Sequence, residues 1–204
     1  MNKEIRTFNF EIKAENDENR GDYLEGRASV YDEATNMGWY EETISKGALD
    51  ETDLKDVRLL VNHNTDMIPL ARSRNNTPNS TMQLMPDDYG MIIRANLDTE
   101  NNADAKSLYS ATNRGDISGM SFMFVVSEDR WEDVDTDMPK RFITSIKRIM
   151  EVSACTFPAY AQTSLEARGL ADALENAKAS LENERAKRHA IEAQKQKIKI
   201  LCEV

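Results

Sequence analysis

The chain has 204 residues, 40% of them hydrophobic, which suits one ordinary domain with an appendage and leaves no room for a second full domain. Its net charge of -10 excludes a nucleic-acid backbone as the main partner, because no basic stripe exists to release counterions. Cys155 and Cys202 make no disulfide framework and suit a reducing compartment; no run approaches the roughly 18 apolar residues that span a bilayer, and MNKEIRTFNF lacks a signal-peptide apolar region, so the expected location is cytosolic with no membrane partner.

Taken in order, Ile5 to Ile12 alternates with Arg6, Phe8, Phe10 and Ile12 on one face, predicting a first strand. The polar stretch Glu15 to Asp22 predicts a turn. Tyr23 to Tyr31 is a second strand, with Gly26 marking a bulge or a close approach. Asp32 to Gly38 is a loop, Trp39 to Ile44 is short and amphipathic, and Leu49 to Leu54 suits a short helix. Val57, Leu59, Val61 and His63 share one face of the next strand. His63 is the only histidine before His189. A lone histidine beside aliphatics is either a satisfied core or edge residue, or the proton acceptor of a site, since imidazole titrates near neutrality.

A polar loop from Ser73 to Ser80 leads to a hairpin of Thr81 to Leu84 and Tyr89 to Leu97, turning at Pro86 to Gly90. Asn102 to Arg114 carries Ala105, Leu108, Tyr109 and Thr112 at helical spacing. It runs through turn signals at Gly115-Asp116 and Ser118-Gly119 into the apolar strand Met120 to Val126. Met120, Phe122 and Phe124 share one face there, while Ser121, Met123 and Val125 share the other. A serine at that point is either a turn former or a nucleophile held on a rigid element. Ser118 is its rival. Glu128 to Asp137, with six acidic residues, reads as a solvated loop without the pattern of a calcium loop.

Arg141 to Ile149 and Met150 to Pro158 form two adjoining strand-like runs. Glu151 interrupts the second and shares a face with Ile149, Ser153 and Cys155. It is either a charge that blunts an edge strand or a buried carboxylate needing a partner such as a histidine ring N–H. From Leu165 to Lys199 the composition predicts one long charged helix. Its stripe of Leu170, Leu174, Ala177, Leu181 and Ile191 is interrupted by Glu184, Arg188 and Lys195, too broken for a coiled coil. His189 is expected on its surface. If the chain is a serine hydrolase, its base is His63 or His189. No HExxH motif and no Cys/His cluster is present, so neither a metal nor another cofactor is expected.

Five blocks, in this order, resemble the prohead maturation serine proteases of tailed phages, a family distantly similar to herpesvirus assemblin: Gly26-Arg27-Ala28 with Val30-Tyr31; Glu42-Thr43-Ile44-Ser45-Lys46-Gly47-Ala48; Val61-Asn62-His63; Gly115 through Phe122; and Glu151-Val152-Ser153 running into Thr156-Phe157-Pro158-Ala159-Tyr160. The resemblance covers about residues 5 to 168. It implies a β-rich α+β fold, a compact antiparallel β-barrel flanked by helices, occupying residues 1–168, with residues 169–204 as a charged helical tail. It further implies an endopeptidase with Ser121 as nucleophile, His63 as base and Glu151 as third member, at a position where assemblin-type enzymes carry a second histidine. Met123 departs from the glycine common in relatives. Arg141 or Arg148 are candidates to assist the oxyanion.

The implied partners are the major capsid protein precursor and its scaffold, with self-association, inside immature heads in the host cytoplasm. Residues 169–204 would tether the enzyme to the assembling shell. The competing expectation is a catalytically weak or inactive assembly scaffold or chaperone, since function resides in the site and not in the fold.

Overall fold

The structure, a computed structural model, describes residues 3–8, 12–156 and 164–202. Among these the elements are β1 (Glu4–Phe8), β2 (Ile12–Asp17), β3 (Gly21–Val30), β4 (Thr35–Asn36), β5 (Glu41–Ile44), β6 (Asp56–Val61), β7 (Ala71–Arg74), β8 (Met82–Asp87), β9 (Gly90–Asn96), α1 (Ala103–Asn113), β10 (Gly119–Glu132), β11 (Lys140–Cys155) and α2 (Ser164–Cys202). The fold is mixed α+β and rich in strands. No helix among the described residues is long and apolar enough to cross a membrane.

A seven-stranded sheet follows the path β1-β10-β11-β5-β4, with β6 also on β11 and β7 on β6; a four-stranded sheet has the order β2-β3-β9-β8. The expected closed barrel is not found among the described residues. The reason lies in β11, whose sixteen residues pair with β5 through Lys140 to Ile143 and with β6 through Glu151 to Ala154. The sheet therefore forks along β11 and does not close. The two sheets share one apolar core, with Leu24, Met82, Leu84, Met91 and Ile93 meeting Phe122, Phe124, Ile143 and Val152.

The long antiparallel pair β10–β11 carries the site. Met120, Phe122 and Phe124 are fully buried, as their alternation predicts, and the two phenylalanine rings stack at 4.6 Å. Several sequence expectations are corrected. The acidic stretch is a loop only after Glu132, because β10 continues through Glu128 to Glu132 with Trp131 turned inward. The two runs after Arg141 are one strand. The first strand is two, β1 and β2, with residues 9–11 outside the described set, and β2 extends to Asp17 through the predicted turn. Leu49 to Leu54 forms turns and no helix, with Thr52 Oγ1 donating to the Ile146 carbonyl at 2.8 Å.

The helix before the nucleophile candidate is as expected: Asn102 caps α1 by accepting from the Asp104 and Ala105 amides, and Ala105, Leu108 and Thr112 are buried. At the β8–β9 hairpin, Gly90 has φ +149 and lies so close to β3 that a Cβ would fall 2.0 Å from the Ser29 carbonyl oxygen, so only glycine fits.

The helix α2 packs by its middle third. Leu174, Ala177 and Leu181 meet Tyr40, Trp131 and Val134 in a second apolar cluster. Trp131 Nε1 donates to Ser180 Oγ at 3.1 Å, Ser180 Oγ donates to Asp129 at 2.8 Å, and Arg185 reaches the Val134 carbonyl. Ile191 lies beyond this contact and is exposed, which ends the predicted stripe; Leu170 lies outside the residues whose side chains are described. Because Trp131 is the centre of the cluster, Trp131→Ala is expected to cost about 3–5 kcal/mol, read as a lower denaturant midpoint.

Candidate active site

Three strands converge to build the site. Antiparallel pairing sets Ser121 opposite Ser153 and Met123 opposite Glu151, while parallel pairing sets Glu151 beside Arg58 and Ala154 beside Val61. The end of β6 is thus delivered to the strand pair that bears both Ser121 and Glu151.

His63 does not continue β6, contrary to the expectation of a shared strand face. The strand ends at Val61, and Asn62 and His63 both adopt left-handed conformations, with φ +49 and +54. Asparagine tolerates that region well and histidine less so, so the turn needs external support. Asn62 supplies it. Its amide N–H donates to the Ala154 carbonyl, its side chain donates to Thr156 Oγ1 at 2.9 Å, and it accepts from the Thr156 amide at 3.0 Å. The clasp swings the imidazole of His63 inward to full burial.

His63 Nε2 lies 2.7 Å from Ser121 Oγ, and Nδ1 lies 2.5 Å from Glu151 Oε1. With Glu151 ionised, Nδ1 must carry the proton, which leaves Nε2 as an acceptor facing the serine hydroxyl. Ser153 completes the cluster: its hydroxyl donates to Glu151 Oε2 at 2.6 Å and accepts the His63 amide N–H at 3.0 Å. All four residues are buried. A buried carboxylate is tolerable here because both of its oxygens are engaged by donors.

Ser121 Oγ is also 2.8 Å from the main-chain carbonyl of Arg6, on β1, which pairs along the first part of β10 with Thr7 opposite Ser121. The hydroxyl has one proton and therefore two competing acceptors, Nε2 and the Arg6 oxygen. Ser121 is fully buried.

The remaining candidates separate. Ser118 is exposed, and the ring of His63 bonds Ser121 and Glu151 instead. His189 is exposed on α2. Arg141 is committed to a buried charge cluster, pairing with Glu4, Glu42 and Asp129, while Arg6 pairs with Glu4 and Glu42. Burial opposes the charge of both arginines, but Glu42 and Glu4 beside them raise their pKa values overall. Arg148 is exposed and lines, with Met123, Met150 and Glu151, a cavity of about 390 Å³. Ser153 was missed by sequence reasoning, although its two-residue spacing from Glu151 on one strand face was the available signal.

Residues 8–179 match the family described as Caudovirus prohead serine protease. The chain belongs to that family. The prohead protease of Enterobacteria phage HK97 is 29% identical over 177 residues, spanning 84% of this chain and 72% of that protein. No solved structure matches the chain. In this prohead serine protease the family match contains His63, Ser121, Glu151 and Ser153 and ends inside α2, between the buried Ala177 and Leu181. It covers nearly all of the stretch over which the sequence blocks carry the resemblance.

Proposed function

We propose that this prohead protease cuts peptide bonds with Ser121 as nucleophile, His63 as general base and Glu151 as the group that orients the ring. The carrying observation is the unbroken line of bonds Ser121–His63–Glu151 at 2.7 and 2.5 Å. Ser121 Oγ attacks the substrate carbonyl carbon as its proton passes to His63 Nε2. The imidazolium, stabilised by Glu151, returns that proton to the leaving amine, and an acyl-enzyme forms. Water, deprotonated by His63, then hydrolyses the ester and restores the serine. No cofactor enters the cycle.

The substrates are the capsid protein precursor and its scaffold inside the immature head, in the host cytoplasm, and the protease also cuts and associates with itself. Residues 1–168 form the protease unit and residues 169–204 the helical tail that tethers it to the shell. Co-expression with the capsid precursor tests the reading: shortened precursor with new termini, read by mass spectrometry, is expected for the wild type and absent for Ser121→Ala. One observation favours the alternative of a weak or inactive assembly scaffold, namely the complete burial of Ser121, whose hydroxyl also bonds the Arg6 carbonyl of β1. In that case the precursor stays full-length with either protein.

Ser153 positions the pair it bridges. Ser153→Ala is expected to slow cleavage roughly 10- to 100-fold through a misaligned ring, with Ser153→Thr, which keeps the hydroxyl, recovering most of the rate. For the tail, the exposed segment beyond Arg188 carries Ile191, Ile198, Ile200 and Leu201 in the open. A chain ending at Arg188 keeps the buried contacts of α2, so it is expected to fold normally but to be packaged less, as measured by protease copies per head.

A further inference from the structure

β1 presents a main-chain carbonyl to Ser121 at 2.8 Å from a strand paired antiparallel to β10. That is the geometry an extended substrate needs, because main-chain pairing fixes the peptide and delivers one carbonyl to the nucleophile. The contact is unproductive for β1 itself, since its carbonyl oxygen competes with His63 Nε2 for the one serine proton.

The side chain of the same residue enters a charged pocket. Arg6 Nε and Nη2 bond the Glu42 carboxylate, the guanidinium lies 5.6 Å from the Phe124 ring centroid, and Arg141 flanks Glu42. The cluster holds three carboxylates, Glu4, Glu42 and Asp129, against two guanidiniums, Arg6 and Arg141. Withdrawing β1 removes Glu4 and Arg6 together. The Glu42 carboxylate then loses the guanidinium that bonds both of its oxygens and keeps Arg141 alone, a costly state that a cationic side chain in the place of Arg6 relieves.

We propose that β1 is a substrate-like strap, and that the edge of β10 beneath it is the substrate site. An extended peptide replaces β1 there with a lysine or arginine where Arg6 lies, immediately N-terminal to the bond that is cut. Among the described strands β1 pairs with β10 alone, and α2 packs against it, so an entering peptide has one strand pairing and one helix contact to displace. This rests on Ser121 being the nucleophile. It adds to that reading both a latent state and a side-chain preference.

The test uses the full chain with Ile5→Cys and Met123→Cys, residues that face each other across β1 and β10. Labelling of Ser121 by a fluorophosphonate is followed in the oxidised and the reduced protein. The strap predicts labelling at least about tenfold slower when oxidised, with full recovery on adding dithiothreitol. Equal rates overturn the strap and leave the peptidase reading standing, whereas no labelling in either state removes that reading and the strap with it. In parallel, a peptide library digested by the wild-type protein is expected to show Lys and Arg enriched before the new C-termini, and Glu42→Gln to weaken that enrichment. Cleavage without basic enrichment overturns the assignment of the Arg6 pocket.

Discussion

Ser121→Ala is expected to reduce cleavage of the capsid precursor by at least about 10³-fold, or roughly 4 kcal/mol of transition-state stabilisation, while Ser118→Ala leaves it within about twofold. The contrast follows from geometry. Among the described residues, only Ser121 lies within bonding distance of an imidazole whose far nitrogen is held by a carboxylate. The hydroxyl is buried, so its removal leaves Nε2 and the Arg6 carbonyl short of one partner, at a stability cost of about 1–2 kcal/mol. The variant should therefore remain folded, with an unchanged circular dichroism spectrum, and the loss can be assigned to chemistry. Cleavage rates at saturating precursor, compared for the two alanine variants, check it.

Glu42→Ala is expected to destabilise the fold by about 3–5 kcal/mol, a larger loss than Ser121→Ala brings, because it strips Arg6 of the carboxylate that its Nε and Nη2 bond and takes one partner from Arg141, both of them buried. Burial alone would raise the pKa of Glu42, but Arg6 and Arg141 lower it overall, so its charge is favoured in the folded state. A depressed carboxylate pKa contributes stability above the unfolded value of about 4 and loses it as pH falls through the folded value. The gap between wild-type and Glu42→Ala stability should thus be full near neutral pH and narrow under acid. Urea midpoints measured across that range read the effect directly.

The residues of the candidate site were more legible than the scaffold that holds them. Ser121 and Glu151 lie on strands whose alternation can be counted, and the scarcity of histidine leaves few bases to choose from. The turn at His63 was not read, because the aliphatic run from Val57 to Val61 extends the strand pattern over Asn62 and His63, although both belong to the residue types that enter the left-handed region most readily. Nor was the charge cluster. Glu4, Arg6, Glu42, Asp129 and Arg141 lie on β1, β5, β10 and β11, and only tertiary pairing makes their burial affordable. The expected closed barrel is not found among the described residues for a similar reason, because which edge of β11 receives β5 and which stretch receives β6 is decided by long-range pairing and not by local pattern. The length of β10 was hidden by its acidic second half, where one inward tryptophan was enough to keep the strand going.

Under the proposed mechanism, His63 activates Ser121. Mass-spectrometric mapping of a fluorophosphonate adduct tests it most directly. A single phosphonylated residue, Ser121, is expected in the wild type, with labelling slowed at least about 10³-fold in His63→Ala. An adduct on Ser118, or equal labelling of Ser121 with and without His63, would contradict it.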